Sequence, residues 1–132
     1  MAKVSRKRLT NQIDEICKQI IRIRDEFTCQ RCGKRVEGRD AHCSHVVHKG
    51  NGASWRRFDL LNMKLLCSHC HLYWWHKEPT EAGRWFAAKF PARDEYLEKY
   101  RGGVASEIKT CEMIELKDEL KLKLSELKGE LK

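Results

Sequence analysis

The sequence predicts an α+β fold, a small two-stranded core stapled by a metal and flanked by helices at its N- and C-terminal ends. Three observations carry that prediction. Two CxxC pairs, Cys29/Cys32 and Cys67/Cys70, bracket a short stretch rich in Val and His. Apolar residues recur at helical spacing before the first pair and again toward the end of the chain. With 132 residues the chain reads as one domain of modest core, for which a metal staple has an energetic motive.

The elements follow in order. Leu9, Ile13, Ile16, Ile20, Ile23 and Phe27 lie at spacings of four and three, on one face of a helix of about five turns that Ser5 or Thr10 can cap. Its opening Lys3, Arg6, Lys7 and Arg8 are phosphate contacts or a solvated basic tail. The helical period stops at Thr28, and CQRCGK has the form of a zinc knuckle in which Gly33 supplies a positive φ. Residues 41–49 read as a strand ending at the turn signal Gly50-Asn51-Gly52, and residues 60–66 as a second. After Cys70, HLYWWHK begins a helix that Pro79 stops; Thr80 or Glu81 opens another through Phe90, and a third covers residues 92–100. Beyond Arg101-Gly102-Gly103, the residues Ile108, Cys111, Leu116, Leu120, Leu124, Leu127 and Leu131 form a helical stripe. That stripe packs on the first helix or pairs with a second copy in a homodimer. The chain thus divides into a basic amphipathic helix (1–28), a metal-bound core (29–78) and a helical extension (79–132).

The chain carries 27 basic and 19 acidic residues, and the excess is uneven: 11 against 6 over residues 1–40, 10 against 6 over 41–101, and 6 against 7 over 102–132. The positive field therefore lies where the motif lies, and it favours a polyanion such as DNA or RNA. The N-terminal MAKVSRKRL leads into no apolar stretch of signal or membrane-span length, so a cytoplasmic protein with no membrane partner is expected. In a reducing compartment, seven cysteines do not build a disulfide framework, and paired CxxC spacing points to a metal. Cys17 and Cys111 read as small apolar helix residues, while Cys43 sits inside the motif. Structural zinc takes four thiolates in a tetrahedron, and each CxxC turn brings two sulfurs to one ion. Arg31, Lys34, Arg35 and Lys64 are near enough in sequence to offset the negative charge of such a site.

The segments SHVVHKGN and RRFDLLNMKLLCSHCH resemble the HNH endonuclease pattern of the ββα-metal fold. The spacing of five from Asn62 to Cys67 and the abutting His71 belong to the match, which covers about residues 29–76. The CSH core, the RFD before Asn62 and the helical tail resemble, more narrowly, phage recombination nucleases of the NinG (Rap) type. The resemblance implies a ββα-metal core and a metal-dependent DNA endonuclease, with branched recombination intermediates as substrate. It also implies roles. His45 is the general base on the first strand, Asn62 holds the connecting loop, and His71 binds a catalytic Mg²⁺ or other divalent ion, with zinc on Cys29, Cys32, Cys67 and Cys70.

The chemistry fits those residue types. A histidine of ordinary pKa, about 6.5, is largely neutral at pH 7 and ready to take a proton from water. A cation lowers the part of the barrier that a base cannot, the charge on the leaving oxygen. This requires His45 and the ion to reach one phosphate from opposite sides. The chain departs from the family pattern at Ser44, where many members have an Asp as second metal ligand. Ser44 is a weak neutral donor, so Asp40, His42 or water would assist. His76, five residues beyond His71, is expected well around a regular helix. Lys49, Arg56 and Arg57 are candidate phosphate clamps. Trp55, Tyr73, Trp74, Trp75 and Trp85 are core or a base-stacking surface. No base-reading element is evident. Two other functions compete: a non-catalytic zinc module that binds nucleic acid, and a helical adaptor acting through its terminal helices.

Overall fold

The computed structural model describes residues 5–102 and 105–130; Lys3, Gly103 and Leu131 lie outside them. Ser5, rather than Thr10, caps the first helix, α1 (Arg6–Arg24), its side chain accepting from the Arg8 amide at 3.2 Å. The buried face of α1 is Leu9, Ile13, Ile16, Cys17, Ile20 and Ile21. Ile23 and Phe27 are only partly buried, because the chain leaves the helix at Asp25 through two left-handed residues, Glu26 (φ 55°) and Phe27 (φ 53°). Non-glycine residues seldom adopt that conformation. Here the Phe27 amide donates to Arg22 O at 2.8 Å and Phe27 O accepts from the Val36 amide at 2.8 Å. The reversal delivers Cys29 to the sheet, where the Gln30 amide donates to Leu65 O at 2.9 Å.

The sheet has two antiparallel strands, β1 (His42–His45) and β2 (Met63–Leu66), in the register His42↔Leu66, Cys43↔Leu65, Ser44↔Lys64, His45↔Met63. Both are shorter than the strands expected over residues 41–49 and 60–66. The Val47 backbone is taken by the side chain of Asn62 instead of a ladder partner, and residues Leu60–Asn62 form a 3₁₀ turn. The connection carries one short helix, α2 (Trp55–Phe58), capped by Ser54, whose hydroxyl accepts from the Arg57 amide at 3.2 Å.

From β2 the chain enters α3 (Ser68–Cys70) and continues without a break into a π-helical turn, His71–Trp75. Pro79 does not merely end that helix but opens α4 (Pro79–Lys89), and Pro91 opens α5 (Pro91–Leu97), followed by a 3₁₀ turn, Glu98–Tyr100. A proline at the first helical position loses no hydrogen bond, since that amide would be unpaired anyway. The last helix, α6 (Thr110–Glu130), packs along α1. Arg6 fastens the pair, donating to Thr110 Oγ1 at 2.7 Å and Ile108 O at 2.8 Å. Met113, Leu120 and Leu124 of α6 share one buried cluster with Ile13 and Ile20 of α1, so the stripe is used within the chain. Cys111, expected on the stripe, is exposed, and Met113 takes the inward place. Among the described residues no helix is long and apolar enough to cross a membrane.

Strand period two assigns the side chains to faces. Cys43, His45, Met63 and Leu65 share one face, toward α1; His42, Ser44, Lys64 and Leu66 share the other.

Candidate functional site

The two CxxC turns meet. The sulfurs of Cys29, Cys32, Cys67 and Cys70 all lie within 4.8 Å of one another, and Cys32 Sγ is 3.9 Å from Cys67 Sγ. Zinc–sulfur bonds of about 2.3 Å give a tetrahedron with edges of about 3.8 Å, so this donor set fits zinc. Gly33, at φ 78°, closes the first turn, its amide donating to Cys29 O at 2.9 Å. Burial tends to raise the Cys29 thiol, but the backbone amides of Cys32, Cys67 and Arg31 outweigh it and bring the pKa down to about 7. Burial pushes Cys70 up to about 12, so a cation is what would make it a thiolate. Of the four cations expected to offset the charge, Arg31 does so most directly. It points Nη1 at Cys70 Sγ at 3.6 Å while its guanidinium lies 4.2 Å over the Trp74 ring. Lys34 and Arg35 turn instead to Asp40 and Glu37.

Asn62 is fully buried and uses both ends of its amide. Its Oδ1 accepts from the Val47 amide at 2.7 Å, and its Nδ2 donates to Val47 O at 2.9 Å and Arg56 O at 3.0 Å. One side chain thereby ties the end of β1 to α2. The next carbonyl of α2, Arg57 O, lies 2.9 Å from His45 Nε2. A carbonyl only accepts, so Nε2 carries the proton and Nδ1 is left as the lone-pair nitrogen. Burial lowers the His45 pKa to about 4. The imidazole is therefore neutral at pH 7, and its proton affinity falls until an anion approaches.

His45 and His71 are on opposite faces of the hairpin. His45 lines a pocket of about 50 Å³ with Asp14, Cys17, Lys18, Cys43 and Lys49 on the α1 side. His71 joins the other face, its Nδ1 2.9 Å from His42 Nδ1 and its Nε2 3.0 Å from His76 Nε2. The contact with His76 reverses the sequence expectation. Five residues of an α-helix advance about 500°, which would turn His76 away. The π turn, closed by the His76 amide on His71 O at 3.3 Å, brings residue i+5 back over residue i. Tautomers follow along the chain of rings. His42 Nε2 is 2.9 Å from Arg39 O and must donate, so His42 Nδ1 presents a lone pair toward His71. Burial, with the charges of His76 and His42 next, lowers His71 to about 4.

Other sequence candidates are placed differently. Ser44 is buried, and its hydroxyl accepts from Lys64 Nζ at 2.9 Å. A serine covered by a lysine is not available as the substitute metal ligand. Lys64 itself is buried, with Nζ 3.2 Å from the centroid of the Trp75 ring, and burial drives its pKa well below the usual lysine value. Asp40 is occupied by the Ser68 amide and hydroxyl and by Lys34. Arg57, expected to clamp phosphate, turns inward: it is buried in a two-pronged pair with Asp14, at 3.1 and 2.6 Å. Its role here is to tie α2 to α1. Arg56 donates to Tyr100 O at 3.1 Å, and Lys49 stays half-buried beside His45. Trp74 and Trp85 pack edge to face at 5.2 Å, whereas Trp55 is 40% exposed.

Sequence reasoning missed the three-histidine cluster as a unit, since only the π turn aligns His76 with His71. It also missed the Lys64–Ser44 contact, which needs the strand register. No curated protein and no solved structure matches the chain. Residues 29–73, which hold the hairpin between the two CxxC turns and the start of the helix that follows it, match the family model described as HNH endonuclease.

Proposed function

We propose that this protein is a metal-dependent endonuclease that hydrolyses phosphodiester bonds in DNA. The observation that carries the reading is the HNH match over residues 29–73, which has the four-cysteine cluster at its two ends and Asn62 tying down the strand that bears His45. Zinc on Cys29, Cys32, Cys67 and Cys70 is the scaffold.

In this reading His45 Nδ1 takes the proton from the attacking water, and the Arg57 carbonyl keeps the correct nitrogen free. A catalytic divalent ion would be held by His42 Nδ1 and His71 Nδ1, which lie 2.9 Å apart. When bound, a divalent cation supplies positive charge to the scissile phosphate and its leaving oxygen. His71 then donates from Nε2 to His76, which makes His76 the group that orients the ligand. His45 and the His42–His71 pair come from opposite faces of β1, so a scissile phosphate would have to meet both at the edge of the strand. Lys49 beside His45 is placed to meet the phosphate, as Arg57 is not. The resemblance of the RFD and CSH segments to the NinG type supports branched DNA as the substrate.

The test is cleavage of matched duplex, flap and four-way DNA across Mg²⁺, Mn²⁺, Ni²⁺ and Zn²⁺. Divalent-dependent nicking is expected, and His45→Ala should abolish it while zinc content is retained. Equal activity in that variant removes His45 from the mechanism. A second reading, a non-catalytic zinc module that binds nucleic acid, is favoured by one observation: His45 and His71 lie on opposite faces of the hairpin, with the buried Lys64 on Ser44 in the middle of the His71 face. Binding without cleavage of any substrate in any of these metals establishes that reading instead.

A further inference from the structure

A second surface lies on the far side of α2 from His45. A cleft of about 860 Å³ opens between α2, the 3₁₀ turn before β2, the end of α5 and the middle of α6. Its floor is apolar, with Phe58, Leu60, Leu116 and Leu120. Its rim is aromatic and basic: Trp55 and Tyr96 are 40% and 37% exposed, and Lys99 and Lys123 stand beside them in solvent. Among the described residues the one carboxylate lining it, Asp59, is already engaged. Asp59 Oδ2 accepts from the hydroxyls of Tyr96 and Tyr100, each at 2.6 Å, and Oδ1 from the Leu61 amide at 3.0 Å. The cleft therefore offers apolar and aromatic surface edged by cations. Lys99 Nζ sits 3.9 Å from the Tyr96 ring, so the charge and the ring form one unit.

We propose that this cleft binds an unpaired strand of nucleic acid, its bases against Trp55 and Tyr96 and its phosphates on Lys99 and Lys123. The occupant is chosen by complementarity. A duplex presents phosphates but keeps its bases stacked inside, and so leaves the apolar floor uncovered; an unpaired strand presents both. The cleft and the hydrolytic site share α2. Its side chains Trp55, Arg56 and Phe58 line the cleft, while its carbonyls at Arg56 and Arg57 hold Asn62 and His45. A strand seated in the cleft thus lies against the same helix that sets the general base. The inference rests on the nuclease reading only for its biological sense, a substrate with a single-stranded arm, and not for the binding itself.

The experiment uses the full zinc-loaded chain and measures fluorescence anisotropy with labelled oligothymidylate, oligouridylate and a blunt hairpin duplex. Trp55→Ala and a Lys99→Glu/Lys123→Glu variant should each bind the unpaired strands about tenfold more weakly, and Trp55→Phe should recover most of the loss. Nicking of duplex by these variants should stay at the parental rate. Parental oligonucleotide affinity in both variants overturns the proposal, and so does self-association that Trp55→Ala abolishes without touching oligonucleotide binding, because the cleft would then hold a second copy. If the parent binds unpaired strands through the cleft but cuts nothing, the nuclease reading fails and the cleft stands. If it nicks duplex and the variants bind as the parent does, the reverse holds.

Discussion

Asn62→Ala separates the architectural role of this residue from any direct part in chemistry. Truncation removes three hydrogen bonds and leaves the Val47 amide, Val47 O and Arg56 O without their partner in a fully buried place. A buried polar group stripped of its partner costs about 1–3 kcal/mol. Three such groups set an upper figure well above the net effect, because Val46 and Val47 are half-buried and water can reach the vacated space. A loss of about 3 kcal/mol is expected, a large share of the roughly 5–15 kcal/mol that holds a domain together. The zinc-loaded variant should still fold, with a lower urea midpoint followed through its tryptophans. Activity should fall further than stability predicts, because freeing Arg56 O loosens α2 and with it the neighbouring carbonyl that fixes the His45 tautomer. Assayed well below the midpoint, where both proteins are folded, cleavage per folded molecule should drop at least tenfold, about 1.4 kcal/mol of transition-state stabilisation. A variant that loses less than about 1 kcal/mol of stability, or that keeps full activity when folded, would show that Asn62 does not organise this site.

Five further outcomes follow from the same geometry. Chelation should unfold the core, because structural zinc binds with about 10–16 kcal/mol, more than a small domain's net stability; loss of zinc with unchanged circular dichroism would contradict this. An ordinary histidine base would raise kcat/KM about eightfold between pH 5.5 and 7, but with the His45 pKa lowered to about 4 by burial the profile should be nearly flat there. The stability sign is opposite to that of a salt-bridged histidine: below about 6.5 the unfolded chain takes up a proton that folded His45 refuses until about 4, so stability falls as pH drops through that window, and His45→Gln should lessen the fall. Lys64→Met should leave the unfolding free energy from urea titration unchanged or raise it by about 1 kcal/mol, because it removes an amine from a dry site and keeps its volume; a loss above about 2 kcal/mol would mean that the Ser44 and Trp75 contacts outweigh that burial. His76→Ala should weaken Co²⁺ binding outside the sulfur site about tenfold, read from the visible bands of a nitrogen-ligated ion, with the fold intact.

The parts of the fold legible in the sequence are those set by local chemistry. Repeated CxxC spacing puts sulfurs on tight turns wherever they occur, and the four meet as expected. The period of α1 reads directly because its partner covers one stripe. What was not legible depends on register. Ser44 looked like a donor facing the ion until β2 placed Lys64 opposite it. Arg57 looked like a phosphate clamp because its neighbours belong to the motif, yet Asp14, 43 positions earlier, claims its guanidinium. Neither contact leaves a mark on spacing or composition.

The π turn follows from constraints at both of its ends. Cys67 and Cys70 must present sulfur to the cluster, which fixes where α3 begins and how it is rotated. Trp74 must face inward beneath Arg31 and against Trp85, and Trp75 must cover Lys64. A widened turn between these two demands accommodates one extra residue, and His71 and His76 come to lie on one side as a result. The same widening leaves backbone hydrogen bonds that are weaker than those of an α-helix, so the alignment of the two imidazoles is held by the side chains on either side of it. Removing one residue between them, by deleting Tyr73, which is 60% exposed, should restore an α-helical register with the histidines four apart and still neighbours. Trp74 would then be rotated out of its place under Arg31. Such a deletion should preserve the pairing of His71 with His76 while weakening the cluster's hold on zinc, which a chromogenic chelator competition would measure. Undiminished zinc affinity would mean that the cluster and the turn are independent.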